Sequence, residues 1–166
     1  MIFEIATFER LFPVVPSGTG LHTETNFGFE SRNKRYFDVT ISGSPKIEQG
    51  MTVIALLEKP NGWEFRGLLG WVNCQDGAVV CDSAVKLFCI GLMCMFFAVM
   101  FRIRAYELFR DSEVVADSVA IFVVLSFGGL ALRHFYLAIK AMLIKKALLA
   151  AKTVYYEHSM KRARGG

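Results

Sequence analysis

The chain is poor in the residues from which active sites are built. Its three histidines, His22, His134 and His158, are scattered along 166 residues and make no evident catalytic or metal-binding group. Its four cysteines fall as Cys74 and Cys81, seven apart, and Cys89 and Cys94, five apart. Structural zinc is held by repeated Cys pairs with roughly two to four residues between them, and thiol redox catalysis uses C-x-x-C. Neither spacing occurs, so four free, packed thiols are expected. A Cys74 to Cys81 disulfide would follow only if the segment carrying them faced an oxidising compartment. The chain has no G-x-x-x-x-G-K-[ST], G-x-S-x-G or H-E-x-x-H. No enzyme activity, cofactor or metal is expected from these absences. No internal repeat is apparent. The first residues, MIFEIATFERLFPVVPSG, lack a basic leader and carry Glu4, Glu9 and Arg10, so they do not read as a signal peptide.

Charge is missing from two long stretches. Residues 87–101 (LFCIGLMCMFFAVMF) and 118–132 (SVAIFVVLSFGGLAL) each run for fifteen residues without Asp, Glu, Lys or Arg. A helix rises about 1.5 Å per residue and the hydrocarbon core of a bilayer is about 30 Å thick, so a span takes roughly 17–25 mainly apolar residues. Ala84 and Val85 extend the first run, with Lys86 snorkelling outward, and residues 114–116 extend the second. A buried helix of a soluble bundle would show one polar face at a period of about 3.6 residues. Neither run has such a face. Two transmembrane spans, about 84–104 and 114–135, are the expectation.

The hairpin 84–132 divides a front domain, 1–83, from a tail, 133–166. Apolar residues make up 54% of the chain. The front domain carries seven Lys or Arg against ten Asp or Glu, the hairpin four against four, and the tail eight against one. The overall charge of +4 is therefore a property of the tail.

From 27 to 81 the pattern has period two, with turn residues at intervals, which argues for strands. Phe37, Val39 and Ile41 alternate with Asp38, Thr40 and Ser42, and 43–45 ends that strand. Segments 51–58 and 63–72 read as a hairpin across Lys59-Pro60-Asn61-Gly62, with Trp63, Phe65, Leu69 and Trp71 on one face. Residues 78–81 make a last strand and 2–8 a first one. So many short strands suggest a small closed barrel or a sandwich, because curling the sheet removes exposed edges.

The succession RYFDVTISGSPKIEQGMTVIALLEKPNGWEFRGLLGWVN, residues 35–73, resembles small OB-fold barrels attached to bacterial inner-membrane helices. Gly50, Met51, Thr52 and Val53 match the G-x-x-V that opens a strand after a glycine-rich corner in those domains. An SH3-like barrel carries similar signs. The resemblance implies an OB-like β-barrel ahead of the helices, and hence an α+β protein of the bacterial inner membrane.

Between the spans, Arg102, Arg104 and Arg110 oppose Glu107, Asp111 and Glu113, and the segment can continue helical beyond the apolar runs. The tail has helix-forming composition through about Tyr156. At roughly 100° per residue, Arg133 and Lys140 fall together, while Lys145, Lys146 and Lys152 point elsewhere, so a helix extending the second span into the cytoplasm, or packing in an oligomer, is expected rather than one lying flat on lipid. Near the span ends, Arg66, Lys86, Arg133, Lys140, Lys145, Lys146 and Lys152 stand against Arg102, Arg104 and Arg110. That balance places both termini in the cytoplasm and the loop outside.

Several residues are candidates for contact with a partner or the membrane interface. Trp63, Phe65 and Trp71 could stack bases if the barrel bound nucleic acid, with Arg32, Lys34 and Arg35 nearby. The domain's net negative charge argues against that use and for core packing. Arg133 and His134 stand where lipid head groups would meet the second span, with Lys140, Lys145 and Lys146 beyond them. Arg102 and Arg104 follow the first span. Asp117 is the only acid in the second apolar stretch, near its outer end. Gly91, Cys94 and Ala98 in one span, and Ser126, Gly128 and Gly129 in the other, allow close helix packing. The function expected is that of an accessory, regulatory or inhibitory membrane subunit, with membrane lipid and a protein partner, or a second copy, as ligands. A homo-oligomeric pore and an immunity protein against a membrane-active toxin are the alternatives.

Overall fold

The computed structural model describes residues 1–18, 23–64, 66–109 and 112–164. Eight strands are followed by two helices: β1 Ile2–Thr7, β2 Arg10–Leu11, β3 Val15–Ser17, β4 Glu24–Ser31, β5 Lys34–Ser42, β6 Thr52–Leu57, β7 Leu68–Asn73, β8 Val79–Cys81, α1 Ala84–Leu108 and α2 Glu113–Arg164. The chain forms two compact units, Met1–Asp82 with Leu143–Gly166, and Ser83–Met142.

In the first unit a four-stranded sheet runs β1-β6-β7-β8, and a second places β2 and β3 on one side of β4 and β5 on the other. All pairings are antiparallel. Alternate residues point between the sheets into one core: Ala6, Phe27, Phe29, Val39, Ile41, Val53, Ala55, Leu57 and Trp71, with Phe8 and Trp63 from the connections. The closed barrel expected from the strand pattern is not found among the described residues. β8 has three residues and gives way at once to the approach to α1, which leaves too short an edge for a ladder to β5. A hydrogen bond from the Ser42 hydroxyl to the Asp82 carboxylate ties the two ends instead.

Two bulges shift the expected faces. On β4 and β5, Phe27 pairs with Val39 and Phe29 with Tyr36, so Phe37 and Asp38 together oppose Gly28. Asp38 takes φ 52°. Tyr36 therefore turns inward and stacks on Phe29, 4.9 Å between ring centroids, while Phe37 turns outward against Phe12 at 5.2 Å. Gly28 is required there: a Cβ would stand 3.0 Å from the Tyr36 carbonyl and 3.1 Å from the Phe12 ring. On β6 and β7, Leu57 pairs with Leu68 and Leu56 with Gly70, leaving Leu69 unmatched. Leu68 and Trp71 enter the core and Leu69 faces away, against the shared face expected for Leu69 and Trp71. The strand expected from residue 63 begins at Leu68, because Trp63 belongs to the turn, where Asn61 takes φ 53°.

The outer face of the first sheet is covered by α2. Ile144 and Leu148 are buried on Ile54, Leu56 and Val72, with Ala147, Ala151 and Tyr155 alongside. These positions repeat every three or four residues, the spacing of one helical face. The Lys152 ammonium donates to the Gly77 carbonyl at 2.9 Å and the Tyr156 hydroxyl to the Cys74 carbonyl at 3.1 Å. As expected for an extension of the second span, the chain from residue 133 continues the helix of the second apolar run, within the 52 residues of α2. Its last turns are a third layer of the β unit.

In the second unit, Ser83 caps α1, its side chain accepting from the Lys86 N–H at 3.3 Å. The 25 residues of α1 run four past the expected span. Small residues are buried along it at seven-residue steps, Gly91, Ala98 and Ala105. α2 buries Ala116, Ala120, Ala131 and Ala138. The Phe135 ring lies where a side chain on Gly91 would go, 2.7 Å from the position of a Cβ. Phe127 stands against Phe97 and Phe101, at 6.5 and 5.7 Å. The large side chains point outward, Phe96, Phe122, Leu125 and Leu132 being 62–72% exposed. Both helices are long and apolar enough to cross a membrane.

Candidate functional site

The most unusual surface of the molecule is the apolar girdle of the two helices. A stable soluble domain points Phe, Leu and Ile at one stripe of each helix. Here the buried residues between the helices are glycine and alanine, with the half-buried rings of Phe127 and Phe135 beside them, and most of the large residues are left outside. Charged groups are confined to its two ends. At one, the Tyr106 hydroxyl donates to the Asp117 carboxylate at 2.5 Å, and Arg104 pairs with Glu107 at 2.7 Å. Arg102 lies on the same last turns of α1. Asp117 thus has a neutral phenol as partner, on an exposed surface.

At the other end stand Lys86 on α1 and Arg133, His134 and Lys140 on α2. Arg133 is exposed, and His134 and Lys140 are half-buried. His134 Nδ1 donates to the Leu130 carbonyl at 2.8 Å, and among the described residues Nε2 has no hydrogen-bond partner. Among the described residues Lys86, Arg133 and Lys140 have no carboxylate partner. Lys145 and Lys146 are exposed on the part of α2 belonging to the first unit.

Other candidates are placed differently from expectation. Trp63 and Trp71 are 0% and 1% exposed, so no indole face is offered to a base or a partner. The Trp63 Nε1–H donates to Glu4 at 3.0 Å, which satisfies its polar atom inside the core. Phe65 and His22 lie outside the described residues, as do Arg110 and Asp111. Of the basic cluster, Arg35 is neutralised by Glu30 at 3.3 Å. Gly128 and Gly129 have open space where a side chain would stand, so they do not form the contact between α1 and α2. Gly91 and Ala98 do line a buried seam.

All four thiols are free. The ladder sets Cys81 opposite Gly70, and Cys74 lies four residues further along, about 13 Å at 3.3 Å per residue, beyond disulfide reach. Burial pushes both thiols above their ordinary pKa, with Lys145 opposing the rise at Cys81 and a hydrogen bond from Tyr155 opposing it at Cys74. These are packed side chains with little thiolate at neutral pH, the opposite of an activated nucleophile. Among the described residues no group of His, Cys, Asp and Glu could hold a metal ion.

Sequence reading missed the anchorage of α2 on the β unit. Testing the tail by the phase of its lysines alone hid the stripe Ile144, Ala147, Leu148, Ala151 and Tyr155. Gly70 and Gly77 signal the same contact: a Cβ on Gly70 would be 3.0 Å from Leu148, and one on Gly77 would be 2.7 Å from the Lys152 ammonium. On the same face of the sheet as Ile54 and Leu56, Phe3 and Ile5 of edge strand β1 remain 47% and 45% exposed. No protein-family model, curated protein or solved structure matches the chain.

Proposed function

We propose that this protein is an integral membrane accessory subunit, held by α1 and the first part of α2 and acting by binding a protein partner through its β unit. The observation that carries the reading is the inverted girdle. Exposed apolar patches beyond a few hundred Å² mark interfaces, and a girdle on all sides of two helices fits lipid better than a single protein contact. Lipid gives no hydrophobic drive to pack helices, so a close seam of Gly91, Ala98 and Ala105 is the arrangement expected there. The excess of Lys and Arg flanking the hairpin outside its loop favours both termini in the cytoplasm, and the bacterial inner membrane is proposed as the setting on the resemblance of residues 35–73 alone.

For partner binding the β unit offers the edge strand β1 with Phe3 and Ile5 outward and, among the described residues, no metal-binding cluster of His, Cys, Asp and Glu. Mild detergent extraction followed by affinity purification and native mass spectrometry tests the assignment. A stoichiometric complex with a second membrane or cytoplasmic protein is expected, and recovery of the chain alone overturns it. The open notch at Gly128 and Gly129 favours a second reading, a homo-oligomer in which another copy packs closely on α2. A symmetric ring of identical chains in the same spectrum would replace the first reading with that one.

A further inference from the structure

We infer that the end of the helical hairpin bearing Lys86, Arg133, His134 and Lys140 is a binding surface for anionic phospholipid head groups. The inference rests on the membrane reading above and adds a ligand class to it. From residue 118 to 156 the chain contains no Asp or Glu. Within the hairpin unit every acid lies at the other end, and Asp82, the acid just before α1, accepts from the Ser42 hydroxyl, so among the described residues Lys86, Arg133 and Lys140 are in no ion pair. Arg133 and Lys140 are seven residues apart, on one face of α2 and about 10 Å apart along its axis. Lys86 joins them from α1: the Phe88 ring two residues on is 5.2 Å from that of Phe135, two residues past Arg133.

Depth selects the source of the counter-charge. Arg133 is the first charge after the uncharged run of α2, and Lys86 is the last before that of α1. Charges at the rim of an apolar girdle stand at the level of lipid phosphates, not in bulk solution. Tyr136, 67% exposed beside them, has the amphipathic character of an interfacial aromatic. The free Nε2 of His134 adds one more polar contact. Three unpaired cations favour a head group with net negative charge over a zwitterionic one, whose own ammonium would cancel the phosphate.

The test is reconstitution of the whole chain in nanodiscs of phosphatidylcholine with a minor share of phosphatidylglycerol, then release by detergent and native mass spectrometry of retained lipid. Enrichment of phosphatidylglycerol on the protein is expected, falling by about five-fold for each cation removed in Lys86→Gln, Arg133→Gln and Lys140→Gln. Arg133→Lys should retain the enrichment, which separates charge from packing. Equal retention of both lipids by the native chain, or an unchanged enrichment in the triple glutamine variant with normal helix content, overturns the inference. Failure of the chain to enter nanodiscs at all overturns the membrane reading and this inference with it. Insertion without lipid preference overturns this inference alone.

Discussion

Replacing Leu148 by Ala should loosen the end of α2 from the β unit. Leu148 is fully buried on Ile54, Leu56 and Val72, and its terminal methyl fits the space left by Gly70. Sheet backbone lines that space and cannot easily collapse into it, so the cost should be in the ordinary range for a buried Leu, about 3 kcal/mol. A 3 kcal/mol change corresponds to a roughly hundred-fold rise in the population of the undocked helix, at 1.4 kcal/mol for each factor of ten. Cys74 and Cys81 pack against this cluster and report the opening directly. With Cys89 and Cys94 replaced by Ala, alkylation of the remaining thiols under native conditions should accelerate by up to about a hundred-fold, limited by the rate of a free thiol. Leu149→Ala, at a position 42% exposed, is the control and should change the rate less than about three-fold. Equal rates in the two variants would refute the docking of α2 on β6 and β7.

The seam of the hairpin makes a paired prediction. Gly91→Ala puts a methyl against the Phe135 ring and should destabilise the hairpin by about 1–3 kcal/mol in detergent unfolding, whereas Gly128→Ala enters open space and should stay within about 0.5 kcal/mol. A reversed order would place the helix contact elsewhere. The raised pKa of Cys74 and Cys81 fixes a sign for pH. Both protonated thiols are favoured in the fold, so their contribution is fully present below the thiol pKa of the unfolded chain, about 8.5, and is lost as pH rises toward the folded values. Stability measured by denaturant titration should therefore fall above about pH 8.5, and Cys74→Ser with Cys81→Ser should flatten that fall. A fall that the double variant leaves unchanged would assign it to other groups.

Local pattern in the sequence reveals most of the elements and little of their assembly. The uncharged runs mark α1 and the first part of α2 because lipid-compatible composition needs no partner to be recognised. The alternation at Val39 and Ile41 marks β5 for the same reason. It fails at Phe37 and Leu69, where bulges at Gly28 and opposite Leu56 insert one residue and exchange the faces; a one-residue slip depends on the partner strand, which period two does not encode. The end of α2 reads as a basic tail when its lysines are followed. Its apolar stripe is visible at 144, 148, 151 and 155, and the sheet that covers it lies sixty and more residues earlier. Trp63 and Trp71 illustrate the converse. Aromatics on a β domain suit either stacking or core packing, and burial in the fold decides for the core.

The account stands on two membrane crossings with both termini on one side. The direct measurement is labelling of a single cysteine by a membrane-impermeant maleimide in intact cells, on a chain without its own cysteines. Ser112→Cys, between the helices, should label in intact cells, and Lys161→Cys should label only after the membrane is opened. Labelling of Lys161→Cys in intact cells, or no labelling of Ser112→Cys there, would contradict it.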